Sequence, residues 1–169
     1  MVVAALALTA GCGSDEEKLD VIEGEPVELG ELLYNVQITR FLNPSDPEDD
    51  AYLRGQPVPS SDQEYLAVFM TIDNEGDSPA ELPHEMTIRD TRDNTFKPLE
   101  SDSVYALALG ETLGPGDEVP GPGTPAASGP IQGAMVLFRV DNTVTENRPI
   151  ELEIPSESGG DEARVELDI

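Results

Sequence analysis

Two side chains in this 169-residue chain stand out as capable of chemistry because each occurs once: the thiol of Cys12 and the imidazole of His84. A thiol can act as nucleophile, metal ligand or acylation site, and an imidazole as base or ligand. Around the histidine the chain reads His84-Glu85-Met86-Thr87-Ile88. This begins the metal-binding spacing H-E-x-x-H but puts Ile88 where the second imidazole must stand. His84 and Met86 would suit a soft copper ion, yet two ligands from one strand are too few. Asp46, Glu48, Asp49 and Asp50 offer oxygens for calcium without the D-x-[DN]-x-[DN]-G order of a calcium loop. The stretch Gly121 to Gly129 lacks the lysine of a phosphate loop. His84 has no evident nucleophile in triad order, and hydrolysis needs such a pair. The residues therefore predict no catalytic centre, no cofactor and no metal site.

Cys12 is the exception, and its context says what the thiol is for. Residues Met1 to Ala10 are almost wholly apolar, and the small pair Ala10-Gly11 precedes the cysteine. A run this short cannot span the roughly 30 Å core of a bilayer. It matches the apolar region and small-residue cleavage site of a secretory signal. Leu8-Thr9-Ala10-Gly11-Cys12 resembles the lipobox of bacterial lipoproteins. That likeness implies a diacylglyceryl group on Cys12, removal of residues 1–11, and a place on the outer face of the cytoplasmic membrane. No Lys or Arg precedes the apolar run, so translation is expected to start upstream of Met1. Two acyl chains anchor stably where one anchors only marginally.

The totals narrow the rest. Nine Lys and Arg face 35 Asp and Glu, a formal charge of −26. Phosphate affinity comes from basic residues, so nucleic acid is excluded as a natural partner. The same charge opposes lying flat on an anionic membrane and favours solubility. With one cysteine there is no internal disulfide, so packing must stabilise the chain. Residues 12–25 are acidic and rich in small residues, and read as a flexible tether of at most about 40 Å.

From Pro26 the pattern becomes short alternating runs. Pro26–Leu29 is a brief strand; Leu32–Phe41 alternates, with Tyr34, Val36 and Ile38 on one face. Glu64–Asp73 is apolar on both faces, as suits a central strand packed inside and half covered outside. Leu82–Asp90, Gln132–Asp141, Ile150–Ile154 and Val165–Ile169 follow, with turn residues between. Asn43–Ser61 and Gly110–Pro130 carry dense Pro, Gly, Asp and Ser, and read as mobile surface excursions. Seven to nine strands without an amphipathic helix predict an antiparallel β-sandwich over residues 26–169.

Asn74-Glu75-Gly76 closing the central strand, then the Pro-Gly stretch, then Gly133-Ala134-Met135-Val136-Leu137-Phe138-Arg139-Val140, form an ordered set. With the lipobox, this set is similar to the immunoglobulin-like domain of uncharacterised Gram-positive lipoproteins related to the secreted immunoprotective antigen of mycobacteria. The resemblance implies a β-sandwich outside the cell without an agreed activity, and it transfers no functional residue except Cys12. The expected function is a non-catalytic, membrane-tethered module that binds an envelope protein or ligand, with the two long loops as candidate contact surface. The alternative is capture of a solute or metal ion.

Overall fold

The computed structural model describes residues 18–169 apart from Ser158. In chain order the strands are β1 (Lys18–Ile22), β2 (Val27–Leu29), β3 (Leu32–Leu42), β4 (Gln63–Asn74), β5 (Ala80–Glu81), β6 (Thr87–Arg89), β7 (Thr95–Phe96), β8 (Thr112–Leu113) and β9 (Glu118–Val119). A single helical turn α1 (Pro125–Ser128) then precedes β10 (Ala134–Asp141), a 3-10 turn (Val144–Glu146), β11 (Glu151–Pro155) and β12 (Glu162–Glu166). They form an immunoglobulin-like β-sandwich. One sheet runs β1-β12-β11-β6-β7; the other runs β10-β4-β3-β2, with β9 also on β4; β5 and β8 make a small ribbon.

The core lies between the two sheets because alternation points one face of each strand inward. From β4 come Leu66, Val68, Met70 and Ile72; from β10 Ala134, Val136, Phe138 and Val140; opposite them lie Met86, Ile88, Leu152, Ile154 and Val165. Each large side chain buried this way contributes about 1.5–3 kcal/mol. β11 and β12 pair antiparallel across the Gly159-Gly160 turn, where both glycines have positive φ.

Three expectations need correction. The stretch read as a tether contains β1, which pairs parallel with β12 and lays Leu19 and Val21 against the core. Leu19 and Val21 alternate with Asp20, and the surrounding acidity hides that pattern. In β3 the register shifts between Val36 and Ile38. A bulge there swaps faces for everything after it, so Ile38 is 39% exposed while Thr39 is buried.

The third correction concerns the long loops. The outward face of β4 presents Tyr65, Ala67 and Phe69, all fully buried. Tyr52 and Leu53 of the first loop cover them, joined by Leu42, Met135, Leu137 and the partly buried Leu99, Tyr105 and Ile131. Tyr52 meets Phe69 edge-on at 5.4 Å between centroids and Tyr105 at 4.6 Å. Asp49 holds this loop to β3: its carboxylate accepts from Arg40 Nη2 at 2.5 Å and from Asn43 N at 2.8 Å. The second loop holds β8, β9 and α1, and buries Leu113 and Ala126. Both loops are packed parts of the domain.

Candidate binding groove

Cys12 lies outside the described residues, so its lipidation rests on the sequence. His84 is exposed, with Nε2 3.1 Å from Glu81 Oε1. Its backbone N–H donates to Glu157 Oε1 at 3.2 Å. Met86, two residues on, is fully buried in the core. Both residues precede β6, outside the strand, and the chain there leaves one side chain in solvent and the other in the core, so the structure does not bring the copper pair together. Among the carboxylates weighed for calcium, Asp49 is committed to Arg40 and to the loop backbone. Among the described residues no group of three or more His, Cys, Asp or Glu is placed to hold a metal ion.

The motifs behind the resemblance are structural. Asn74 is buried; its Nδ2 donates to Ser78 O and Leu113 O, both at 2.9 Å, and its Oδ1 accepts from Gly76 N at 3.0 Å. Its backbone N–H donates to Asp117 O at 3.0 Å, and its carbonyl accepts from Gly116 N at 2.9 Å. One side chain and its peptide thus fix the whole β8–β9 connection. Gly133 has φ +126°, and a Cβ there would stand 3.0 Å from Met70 N and 3.2 Å from Met70 O. Only glycine lets the chain pass that close to β4.

What Asn74 holds in place is one wall of a groove of about 580 Å³. The stretch 104–108 also lines it, a turn at Val104-Tyr105 running into a segment tied to the sheet by Leu107 N to Met135 O (2.8 Å) and Met135 N to Tyr105 O (2.7 Å). The floor comes from Ala134 at the start of β10 and Ala126 of α1. Thr124 caps that turn, its Oγ1 accepting from Ala127 N at 3.3 Å and donating to Gly121 O at 2.8 Å. Val104, Ala108, Val119, Pro120 and Pro122 share the lining about equally with polar groups, and Val104 is 57% exposed. Glu111, Asp117 and Glu118 are its charged lining residues, with no Lys, Arg or His among them. Such a site sets carboxylates and apolar side chains side by side.

A second cleft of about 490 Å³ opens where the sandwich edges meet, over Leu99, Leu107, Leu109 and Val136. Lys97 Nζ lies there 2.9 Å from Glu85 Oε1, so its cation is already compensated. A third cavity of about 310 Å³ sits at the end of the sandwich, lined by Glu31, Tyr34, Glu81 and Glu157 among others. Burial first, and then the Glu157 charge, push the Tyr34 phenol well above its ordinary range. It stays a neutral hydroxyl at every physiological pH. Sequence reading put the Gly110–Pro130 loop, which contains the 111–122 wall, among the candidate contact surfaces; it missed the 104–108 wall and so the groove itself. The available signal was Asn74 itself, a polar residue closing the most apolar strand.

No protein-family model matches the chain, and no curated protein matches it. Solved structures do share the fold. The yjhA protein of Bacillus subtilis superposes with a TM-score of 0.58 at 15% identity, over 88% of this chain and 99% of its own. A secreted protein of Mycobacterium tuberculosis, MPT63, gives 0.55 at 11%, over 89% and 98%. A putative lipoprotein of Bacillus subtilis, ycdA, gives 0.54 at 15%, covering 86% of this chain and 38% of that one. At these identities the similarity establishes the β-sandwich, and with it structural neighbours that include a secreted mycobacterial protein and a putative lipoprotein.

Proposed function

We propose that this chain is a lipid-anchored, extracytoplasmic immunoglobulin-like module that binds an envelope component without catalysing a reaction. The observation that carries the binding reading is the groove between 104–108 and 111–122, lined by apolar side chains and three carboxylates together and held by backbone hydrogen bonds. Sites on connections positioned by a scaffold are where binding concentrates. In the first long loop Tyr52 and Leu53 are spent on packing, while Val58 and other residues of it remain exposed.

The anchor supports the reading through geometry. Cys12 is six residues from the start of β1, a reach of at most about 20 Å. β1 begins beside the β11–β12 turn. That turn shares a cavity with Glu31 and Ala80, and Ala80 pairs with Leu113 in the groove wall. An anchor at Cys12 would therefore hold the domain by the side where β1 meets the β11–β12 turn. Intact mass of protein extracted from membranes tests the lipid, and affinity capture from native envelope tests the binding. An unmodified thiol with residues 1–11 attached, or no retained partner, refutes the corresponding half.

A second reading, solute capture, is favoured by the 490 Å³ cleft and its leucines. Thermal-shift screening against small metabolites and metal ions separates it: a selective, stoichiometric stabilisation would promote this reading.

A further inference from the structure

We propose that the cavity of about 310 Å³ at the end of the sandwich takes a small organic ammonium ion, its N–H groups on the Tyr34 hydroxyl and Glu157 and its carbon chain against Leu29, Leu32 and Ala80. This site is separate from the groove and does not depend on it. The observation that carries it is the phenol of Tyr34. That side chain belongs to the core and is 1% exposed, yet its hydroxyl makes no hydrogen bond to any described residue. The buried Tyr65 hydroxyl, by contrast, donates to Pro57 O. Buried polar groups are rarely left without a partner, and a bound ligand is one way such a group is completed. The negative charge of Glu157 acts on the Tyr34 phenol, so its hydroxyl end lies toward the Ser156-Glu157 wall of the cavity.

The surrounding groups say which ligand. Three carboxylates line the cavity, each held through one oxygen. Glu31 Oε2 accepts from Ser78 Oγ at 2.6 Å, Glu157 Oε1 accepts from His84 N at 3.2 Å, and Glu81 Oε1 lies 3.1 Å from His84 Nε2. Their second oxygens accept no hydrogen bond from a described residue, and no Lys, Arg or His lines the cavity. Acceptors in excess of donors select a ligand rich in N–H, and their charge rejects anions. A divalent metal does not fit. It needs oxygens gathered at about 2.0–2.6 Å, and among the described residues no three His, Cys, Asp or Glu are placed to hold one. An ammonium group spans wider spacings through hydrogen bonds, and its carbon chain covers the apolar wall that a bare ion would leave wet. The volume of about 310 Å³ is at the lower end for ligand cavities, so the chain is limited to a few carbons.

The test uses the full chain with Cys12→Ser to keep it in water, titrated with n-butylammonium chloride and followed by amide chemical shifts. Sodium chloride holds the ionic strength at about 150 mM, where the Debye length is about 8 Å. A ligand this small binds weakly, so the titration runs into the millimolar range. Shifts are expected to cluster at 29–34, 79–81 and 156–157, and 1-butanol, similar in shape but uncharged, should bind about fivefold more weakly or worse. Tyr34→Phe is the deciding variant, because it removes one oxygen and leaves the ring. The free protein should melt at the same temperature or higher, while butylammonium affinity falls by about fivefold or more. Glu157→Gln keeps an acceptor for His84 N and should lose about tenfold, the worth of a hydrogen bond to a charged group. Glu64→Gln, at the exposed start of β4, removes the same charge elsewhere and should change affinity by about twofold at most. Unchanged affinity in Tyr34→Phe, equal losses from Glu157→Gln and Glu64→Gln, or equal binding of 1-butanol overturns the proposal. So does displacement of the amine by equimolar calcium at the same amides, which would make the site a metal site. Envelope capture is read separately, and its failure would remove the binding module while leaving this site standing.

Discussion

Tyr52→Ala is the sharpest test of the structural account, because sequence pattern and tertiary structure disagree about what Tyr52 does. In a solvated loop its truncation would change stability by no more than about 0.5 kcal/mol, as surface substitutions do. In the structure Tyr52 is buried on Phe69 and Tyr105, with ring centroids at 5.4 and 4.6 Å. Removing a buried aromatic ring costs about 3–5 kcal/mol, the transfer energy plus the cavity left behind. Aromatic pairing accounts for about 0.5–1.5 kcal/mol of each contact beyond its area. For a domain of this size each kcal/mol moves Tm by about 2–4 °C, so a fall of roughly 10 °C is expected. Urea unfolding followed by far-UV circular dichroism gives the free energy directly, and the chain has no Trp to complicate the signal. Val58→Ala is the internal control: it lies in the same loop, is 83% exposed, and should be neutral. A Tyr52→Ala midpoint indistinguishable from that of Val58→Ala would show that the loop does not pack, and the outer layer would have to be abandoned.

Three further outcomes follow from single residues. Gly133→Ala should cost about 2–4 kcal/mol, combining a forbidden φ with a clash against β4 backbone, and thermal melting will show it. At the other end of the sandwich Asp90 is buried, which by itself would raise its pKa. Hydrogen bonds from Asn94, Arg92 N and Asn147 outweigh that and hold it below the usual carboxylate value. Its contribution is therefore present at neutral pH and lost as pH falls from about 5 through the folded value. Asp90→Asn should flatten stability against pH between about 5 and 2, and an unchanged slope would contradict this. Finally, Cys12→Ser should move the protein from the membrane to the soluble extracytoplasmic fraction, measured by fractionation and immunoblotting; continued sedimentation with membranes would remove the lipid anchor from the account.

The sequence was informative wherever the physics is local. Alternation in β4, β10, β11 and β12 reports which side chains face inward, since a strand repeats every two residues whatever surrounds it. Asn74-Glu75-Gly76 and Gly159-Gly160 mark turns for the same reason. Cys12 and its apolar prelude speak of attachment without any tertiary context.

Only the tertiary structure decided what the aperiodic stretches do. Tyr52, Phe69 and Tyr105 are far apart in sequence and form one cluster, so no window of neighbouring residues contains the signal. The outward apolar face of β4 announces that something must cover Phe69; it does not name the cover. The bulge after Val36 cannot be read from alternation either, because both phases of β3 offer apolar residues, Ile38 and Leu42 in one and Phe41 in the other. Likewise the groove exists because Asn74 and Gly133 bring two separate connections within hydrogen-bonding distance of the same sheet edge. Distance along the chain carries no record of that meeting; burial and backbone hydrogen bonding in the folded state create it.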